Sequence, residues 1–321
     1  MQTSSELYSA ALIAVRDCMG VQAGERVLIV TDEPLRSIAC SLHRAARNLG
    51  TEVFLVEILP RRTNGEEPPK EIADLMKVVD VVLCPTSKSL THTDARRAAS
   101  AAGVRIATLP GVTEEIMVRC MNADYHRIAE RTFKLCALLE KTKVVRVESP
   151  SGTDITLPIT GRKAHASSGL FREKGQSGNL PTGEAYLAPL EGLSNGVVVV
   201  DGAMAGVGLL SEPIRIAVKD GYATEISGAH EARNLRELLA PHGRDGRNVA
   251  EFGIGTNDKA ILTGVILEDE KVMGTIHIAF GDNKSMGGSV RVASHLDGMV
   301  KKPTVWLDDL KIMEAGKLLV D

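Results

Sequence analysis

Two rhythms of apolar residues divide the chain. Residues 5–19 carry apolar positions at helical spacing and stop at Gly20, Glu25–Val30 is a compact apolar run, and residues 34–48 read as a helix with Gly50 just beyond its end. The pattern continues with strands over 51–57, 78–84 and 104–108 and helices over 69–77, 92–102, 113–121 and 125–141. Strand and helix alternating at these lengths predict a parallel sheet with helices on its faces, a Rossmann-like α/β domain over residues 1–142. From Lys143 the rhythm shortens. Alternating runs at 143–148, 154–157, 196–201, 214–218 and 222–226, punctuated by glycine and proline, predict an antiparallel, β-rich α+β domain over residues 143–321, with one helix at Glu231–Leu239. The segment His165–Gly169 is polar and reads as a surface loop, or a lid over a site.

Composition narrows the classes. The chain has 321 residues, 44% hydrophobic and 25% charged, which is the profile of a water-soluble globular protein long enough for two cores. A net charge of −3 and 3% aromatic residues argue against a nucleic-acid surface. The start, Met1 to Glu6, lacks a basic and an apolar leader region, and no apolar run is long enough for a membrane span. The 5 cysteines, Cys18, Cys40, Cys84, Cys120 and Cys136, form no Cys-x-x-Cys pair and fit buried free thiols in a reducing cytoplasm. After the first strand comes Thr31-Asp32-Glu33-Pro34, where a dinucleotide site would need glycines, so the α/β pattern carries no expectation of NAD or FAD.

Candidate chemistry gathers in the second domain. His295 and Asp297 lie two apart in an extended segment, so both side chains point to one face. His277 sits in the apolar run Thr275-Ile-His277-Ile-Ala-Phe and could meet that face across a sheet. Two imidazoles and a carboxylate converging in this way suit a divalent metal. Glu184, after the turn Asn179-Leu-Pro181-Thr-Gly183, and Glu251, in Val249-Ala-Glu251-Phe-Gly-Ile-Gly255, are single carboxylates in short runs that could complete a site for one or two ions. Each has a bland alternative: a solvated strand residue for Glu184, an outward or paired charge for Glu251, a hydrogen-bonded core histidine for His277. Gly202–Gly208 is glycine-rich but lacks the Gly-Lys-Ser/Thr of a phosphate loop, and no Gly-x-Ser-x-Gly elbow is present.

Taken in order, Asn-x-Pro-x-Gly-Glu184, Glu251, His277-Ile-Ala-Phe-Gly and His295-x-Asp297 resemble the thermophilic aminopeptidase family of metallopeptidases, that of aminopeptidases T and S. The resemblance implies Glu184, Glu251, His277, His295 and Asp297 as ligands of a two-metal centre using Co, Zn or Mn. It also implies a homodimer acting on a small molecule or short peptide. The same scaffold serves an iron enzyme family, 2,5-dihydroxypyridine 5,6-dioxygenase, whose two histidines and aspartate are resembled by His277, His295 and Asp297. The aminopeptidases' tyrosine after the first histidine has no counterpart, since no tyrosine follows Tyr222.

The expectation is therefore a cytoplasmic aminopeptidase-like metallohydrolase in which Glu184 or Glu251 acts as base, with a mononuclear Fe(II) ring-cleaving dioxygenase as the alternative. A metal-stabilised protein without catalysis is the third reading.

Overall fold

The computed structural model describes residues 5–320; residues 1–4, on which the leader expectation partly rests, and Asp321 lie outside the described residues. The chain forms two compact units, one of residues 1–128 and 169–182, the other of 129–168 and 183–321. This differs from a single cut between residues 142 and 143. Most of the helix Tyr125–Leu139 belongs to the second unit, and residues 169–182 return to the first.

The first unit holds a five-stranded sheet in the order 52–57, 26–31, 81–84, 105–108, 177–179, parallel throughout. Its central strands are wholly buried because helices cover them, which is why they read as continuous apolar runs. Leu28, Val30, Val82, Cys84 and Ile106 pack against Met76, Ala95 and Ala99. The Ser177–Asn179 strand was not expected, because its three residues carry no apolar side chain and only pairing with Arg105–Thr108 defines it. Four of the free thiols are buried, as expected, but Cys40 is exposed: it lies on the outer face of the helix Arg36–Asn48.

The second unit is built from two antiparallel sheets. One has eight strands in the order 222–227, 214–219, 195–200, 154–158, 144–148, 304–307, 310–314, 317–318. The other has seven, in the order 208–209, 203–204, 295–301, 275–281, 249–255, 184–187, 165–167. Val145, Val147, Ile155, Leu157, Val198 and Ile216 of the first sheet share one core with Leu187, Phe252, Ile254, Ile276, Ile278, Phe280 and Val300 of the second. The fold is thus an α/β unit with a parallel sheet plus an α+β unit of antiparallel sheets, as the rhythm of the sequence implied. The loop or lid expected at His165–Gly169 is instead, over His165–Ser167, an edge strand paired with Glu184–Tyr186. Among the described residues no helix is long and apolar enough to cross a membrane.

Candidate metal centre

The register of the seven-stranded sheet decides which side chains meet. Directly paired residues share a face, and alternate residues along a strand swap faces. Glu184 pairs with Gly255, and Gly253 pairs with both Tyr186 and His277. Ala279 pairs with Glu251 and with Asp297, and Gly281 pairs with His295. All five candidate residues therefore project from one face, while Phe252, Ile254, Ile276, Ile278 and Phe280 line the core on the other. The interruptions of apolar runs seen in the sequence are the polar face of a single sheet.

On that face the groups form a closed ring. His277 Nε2 lies 3.1 Å from Glu251 Oε1 and 3.6 Å from Glu184 Oε2. His295 Nε2 lies 3.1 Å from Glu251 Oε2 and 3.4 Å from Asp297 Oδ1. Asp297 accepts a hydrogen bond from Glu270, Glu270 pairs with Lys271, and the Lys271 ammonium stands 2.7 Å from Glu184 Oε1. Glu184, Glu251, Asp297, Lys271 and His277 are buried, and His295 is partly exposed. Among the described residues two trios have ligand atoms close enough to hold an ion, Glu184–Glu251–His277 and Glu251–His295–Asp297, with Glu251 common to both.

Two glycines make the ring geometrically possible. A Cβ on Gly253 would run into the His277 imidazole, which lies flat across the neighbouring strand. A Cβ on Gly255 would run into the backbone at Lys271 and Val272, which crosses directly over that strand and is tied to it by the Asn257 N–H donating to the Lys271 carbonyl at 2.9 Å. The sequence displays these glycines beside Glu251, but not what each accommodates. Lys271 and Glu270 were missed altogether. They end the run Glu268-Asp-Glu-Lys271, which reads as a solvated turn, and no spacing rule brings that turn back over the sheet.

The electrostatics call for a cation. His295 Nδ1 is 2.7 Å from the Asp282 carbonyl, so it donates there and leaves the Nε2 lone pair aimed at two carboxylate oxygens. Lone pair against carboxylate is repulsive unless a proton or a metal sits between. Burial works against charge on both imidazoles. The surrounding carboxylates overrule it, raising His277 to about 9, chiefly through Glu251, and His295 well above its ordinary range, chiefly through Asp297. Burial likewise opposes ionisation of Glu251 and Asp297, but the histidines hold both below the usual carboxylate range. Burial pushes Glu270 up to about 8. Glu184 Oε2 and His277 Nδ1 are buried with no hydrogen-bond partner. The donor set of imidazole and carboxylate, with a carboxylate oxygen left unsatisfied in its midst, fits a divalent ion.

Tyr186 projects from the same face and stacks on His165, ring centres 5.2 Å apart. His165 Nε2 is buried without a partner. This flat pair, on the edge strands beside Glu184, was not anticipated.

A family model described as 2,5-dihydroxypyridine 5,6-dioxygenase matches residues 8–320. The chain is similar to the 2,5-dihydroxypyridine 5,6-dioxygenase of Pseudomonas putida (strain KT2440), 24% identical over 262 residues, which are 78% of this chain and 72% of that protein. The solved structure of the 2,5-dihydroxypyridine dioxygenase from Pseudomonas putida KT2440 superposes with a TM-score of 0.84 at 20% identity over 99% of each chain. Wild-type AmpT from Thermus thermophilus superposes with a TM-score of 0.71 at 18% identity over 98% of this chain and 99% of that one. Both resemblances found in the sequence are supported, and the structural likenesses establish the shared fold.

Proposed function

The chain belongs to the 2,5-dihydroxypyridine 5,6-dioxygenase family, and from that premise we propose that it is a metal-dependent ring-opening dioxygenase acting on a small hydroxylated nitrogen heteroaromatic. In this reaction class both atoms of O₂ enter the product as one ring bond opens. Of the two chemistries expected from the sequence, the comparisons favour this one over peptide hydrolysis.

The observation that carries the reading is the Lys271 ammonium, buried 2.7 Å from Glu184 Oε1, so that one of the three acidic ligand candidates is already answered by a fixed cation. Two-metal hydrolysis needs carboxylate free to offset two dications ~3.5–4 Å apart, which repel strongly. His277, His295 and Asp297, with Glu251 between the imidazoles, are the residues that would hold the ion. Ferrous iron bound there would supply the one-electron chemistry that O₂ needs to react with a closed-shell ring.

The chain's own groups do the rest. Glu251 and Asp297 fix the two imidazoles. The Tyr186–His165 pair offers a flat surface for an aromatic ring, and the free His165 Nε2 offers a hydrogen bond to a ring hydroxyl. The test is aerobic incubation of Fe²⁺-loaded protein with 2,5-dihydroxypyridine, following oxygen consumption and loss of the ring's absorbance. Uptake of one O₂ per ring lost is expected. No uptake, together with cleavage of aminoacyl anilides when Co²⁺ is loaded, would replace this reading with the hydrolase, for which the position of Glu251 between two metal-capable trios is the favouring observation.

A further inference from the structure

We infer that Lys271 is a built-in second cation: its ammonium fills, on the Glu184 side of the ring, the charge position that a second metal ion would take, and so limits the centre to one ion. The inference rests on the metal-dependent reading above and deepens it.

The scaffold is nearly that of a two-ion site. Two trios of ligand type share one carboxylate, as two ions sharing a bridging carboxylate would require. What differs between the trios is their surroundings. The Glu251–His295–Asp297 trio is paired within itself, His295 Nε2 lying 3.1 Å from Glu251 Oε2 and 3.4 Å from Asp297 Oδ1. The Glu184–Glu251–His277 trio has Lys271, whose Nζ is 2.7 Å from Glu184 Oε1 and also pairs with Glu270. Glu184 thus spends one oxygen on an ammonium. A dication bound by its other oxygen would stand close to that like charge with no water between, since the Lys271 side chain is 3% exposed.

Lys271 cannot swing aside as a surface lysine would, because its side chain is buried between Glu184 and Glu270 and its backbone is tied down. Its backbone N–H donates to the Glu268 carbonyl at 2.9 Å, and its own carbonyl accepts from the Asn257 N–H at 2.9 Å. The turn that carries it lies against the strand at Gly255, where only the missing Cβ permits the approach. Its charge is therefore held in place before any metal arrives. Here the same ammonium satisfies Glu184 and excludes an ion from it.

The experiment counts metal in the absence of substrate, so its outcome is independent of whether the oxygen-uptake assay succeeds. Purified, metal-stripped protein is titrated with Mn²⁺, and bound ions per chain are measured by elemental analysis and by electron paramagnetic resonance, which separates isolated from coupled Mn²⁺. Wild type should bind one ion per chain with an uncoupled signal. Lys271→Ala, confirmed folded by circular dichroism, should bind two with a coupled signal, and adding Glu184→Gln to it should return the count to one. A wild-type count of two, or a folded Lys271→Ala that still binds one, would overturn the inference. Should Lys271→Ala not fold, Glu184→Gln alone decides: the count should stay at one, and loss of that ion would make Glu184 a ligand and not the partner of a substitute cation.

Discussion

The two faces of the seven-stranded sheet share every backbone atom and behave by different rules. On one, Leu187, Phe252, Ile254, Ile276, Ile278, Phe280 and Val300 are packed into the sandwich core. On the other, Glu184, Glu251, His277, His295 and Asp297 answer one another with Lys271 and Glu270. The apolar face rests on a non-directional term roughly proportional to buried area, so its members tolerate exchange at constant volume. The polar face is a ring. Each buried charge there is tolerable only because its neighbours are present, and deleting one leaves others unpaired at several kcal/mol. Strand alternation lets one stretch of chain serve both, at the cost that a one-residue slip of register would exchange the faces.

The largest effect expected is on the ring. Asp297→Ala should reduce metal affinity by more than the ~10–100-fold that loss of an outer partner costs, and should abolish oxygen uptake, because it removes a candidate ligand and the group facing His295 Nε2. Metal content after desalting, beside the far-ultraviolet circular dichroism, checks it. Full occupancy in a folded variant would place the ion elsewhere. Next comes the opposite face: Phe280→Ala, at a fully buried position, should cost about 3–5 kcal/mol of unfolding free energy while the folded fraction still binds metal. A urea titration with a parallel metal titration reads both. Should metal affinity fall as steeply as stability does, the two faces would be coupled and the contrast between them would fail.

What was legible in the chain follows the same division. Apolar runs bounded by glycine and proline mark the strands of both units, because burial on a sheet leaves a periodic trace. The strands Ser177–Asn179 and His165–Ser167 left none. They are short polar edges, defined by a partner distant in sequence. That Glu184, Glu251, His277, His295 and Asp297 share a face was readable, since each interrupts an apolar run, and a charge in such a run needs a reason. Lys271 and Glu270 were unreadable because consecutive charges look solvated, and only the crossing over Gly255 brings them inside. The order of the five residues pointed first to hydrolysis. The ammonium that argues for a single ion is visible only in three dimensions.

A substitution between the two faces sharpens the comparison. Gly253→Ala adds one methyl on the polar side, into space held by the His277 ring. The ring must turn or the strand must shift, so stability should fall by about 1–3 kcal/mol, the usual range for overpacking. Metal affinity should fall along with it, because His277 leaves its place beside Glu251. Differential scanning calorimetry of metal-stripped and metal-loaded protein separates the two. If the loaded variant gains as much stability from metal as wild type does, the ring does not depend on that glycine.

The smallest effect tests how far the interdependence of the polar face extends. Glu191 accepts from Asn283 Nδ2 at 2.8 Å and from the Ser289 N–H at 2.7 Å, and it pairs with Arg162. Asn283 and Ser289 belong to the connection whose Asp282 carbonyl receives the His295 N–H, so Glu191 braces the segment that orients a ring member. Burial alone would raise its pKa, but the Ser289 N–H, Asn283 and the Arg162 guanidinium hold it down to about 2, below the ordinary 4.5. A depressed carboxylate stabilises the fold above its unfolded value and loses that contribution as the pH falls through its folded one. The window is therefore roughly pH 4.5 down to 2. Glu191→Gln keeps the shape and removes the charge. At pH 7 it should lower the unfolding free energy by about 1 kcal/mol, since part of the charge effect is screened by water. The gap between variant and wild type, read from urea midpoints, should close as the pH is lowered through that window while both proteins remain folded. A gap that stays constant with pH would mean the connection is held without the charge of Glu191, and the interdependence would end at the ring itself.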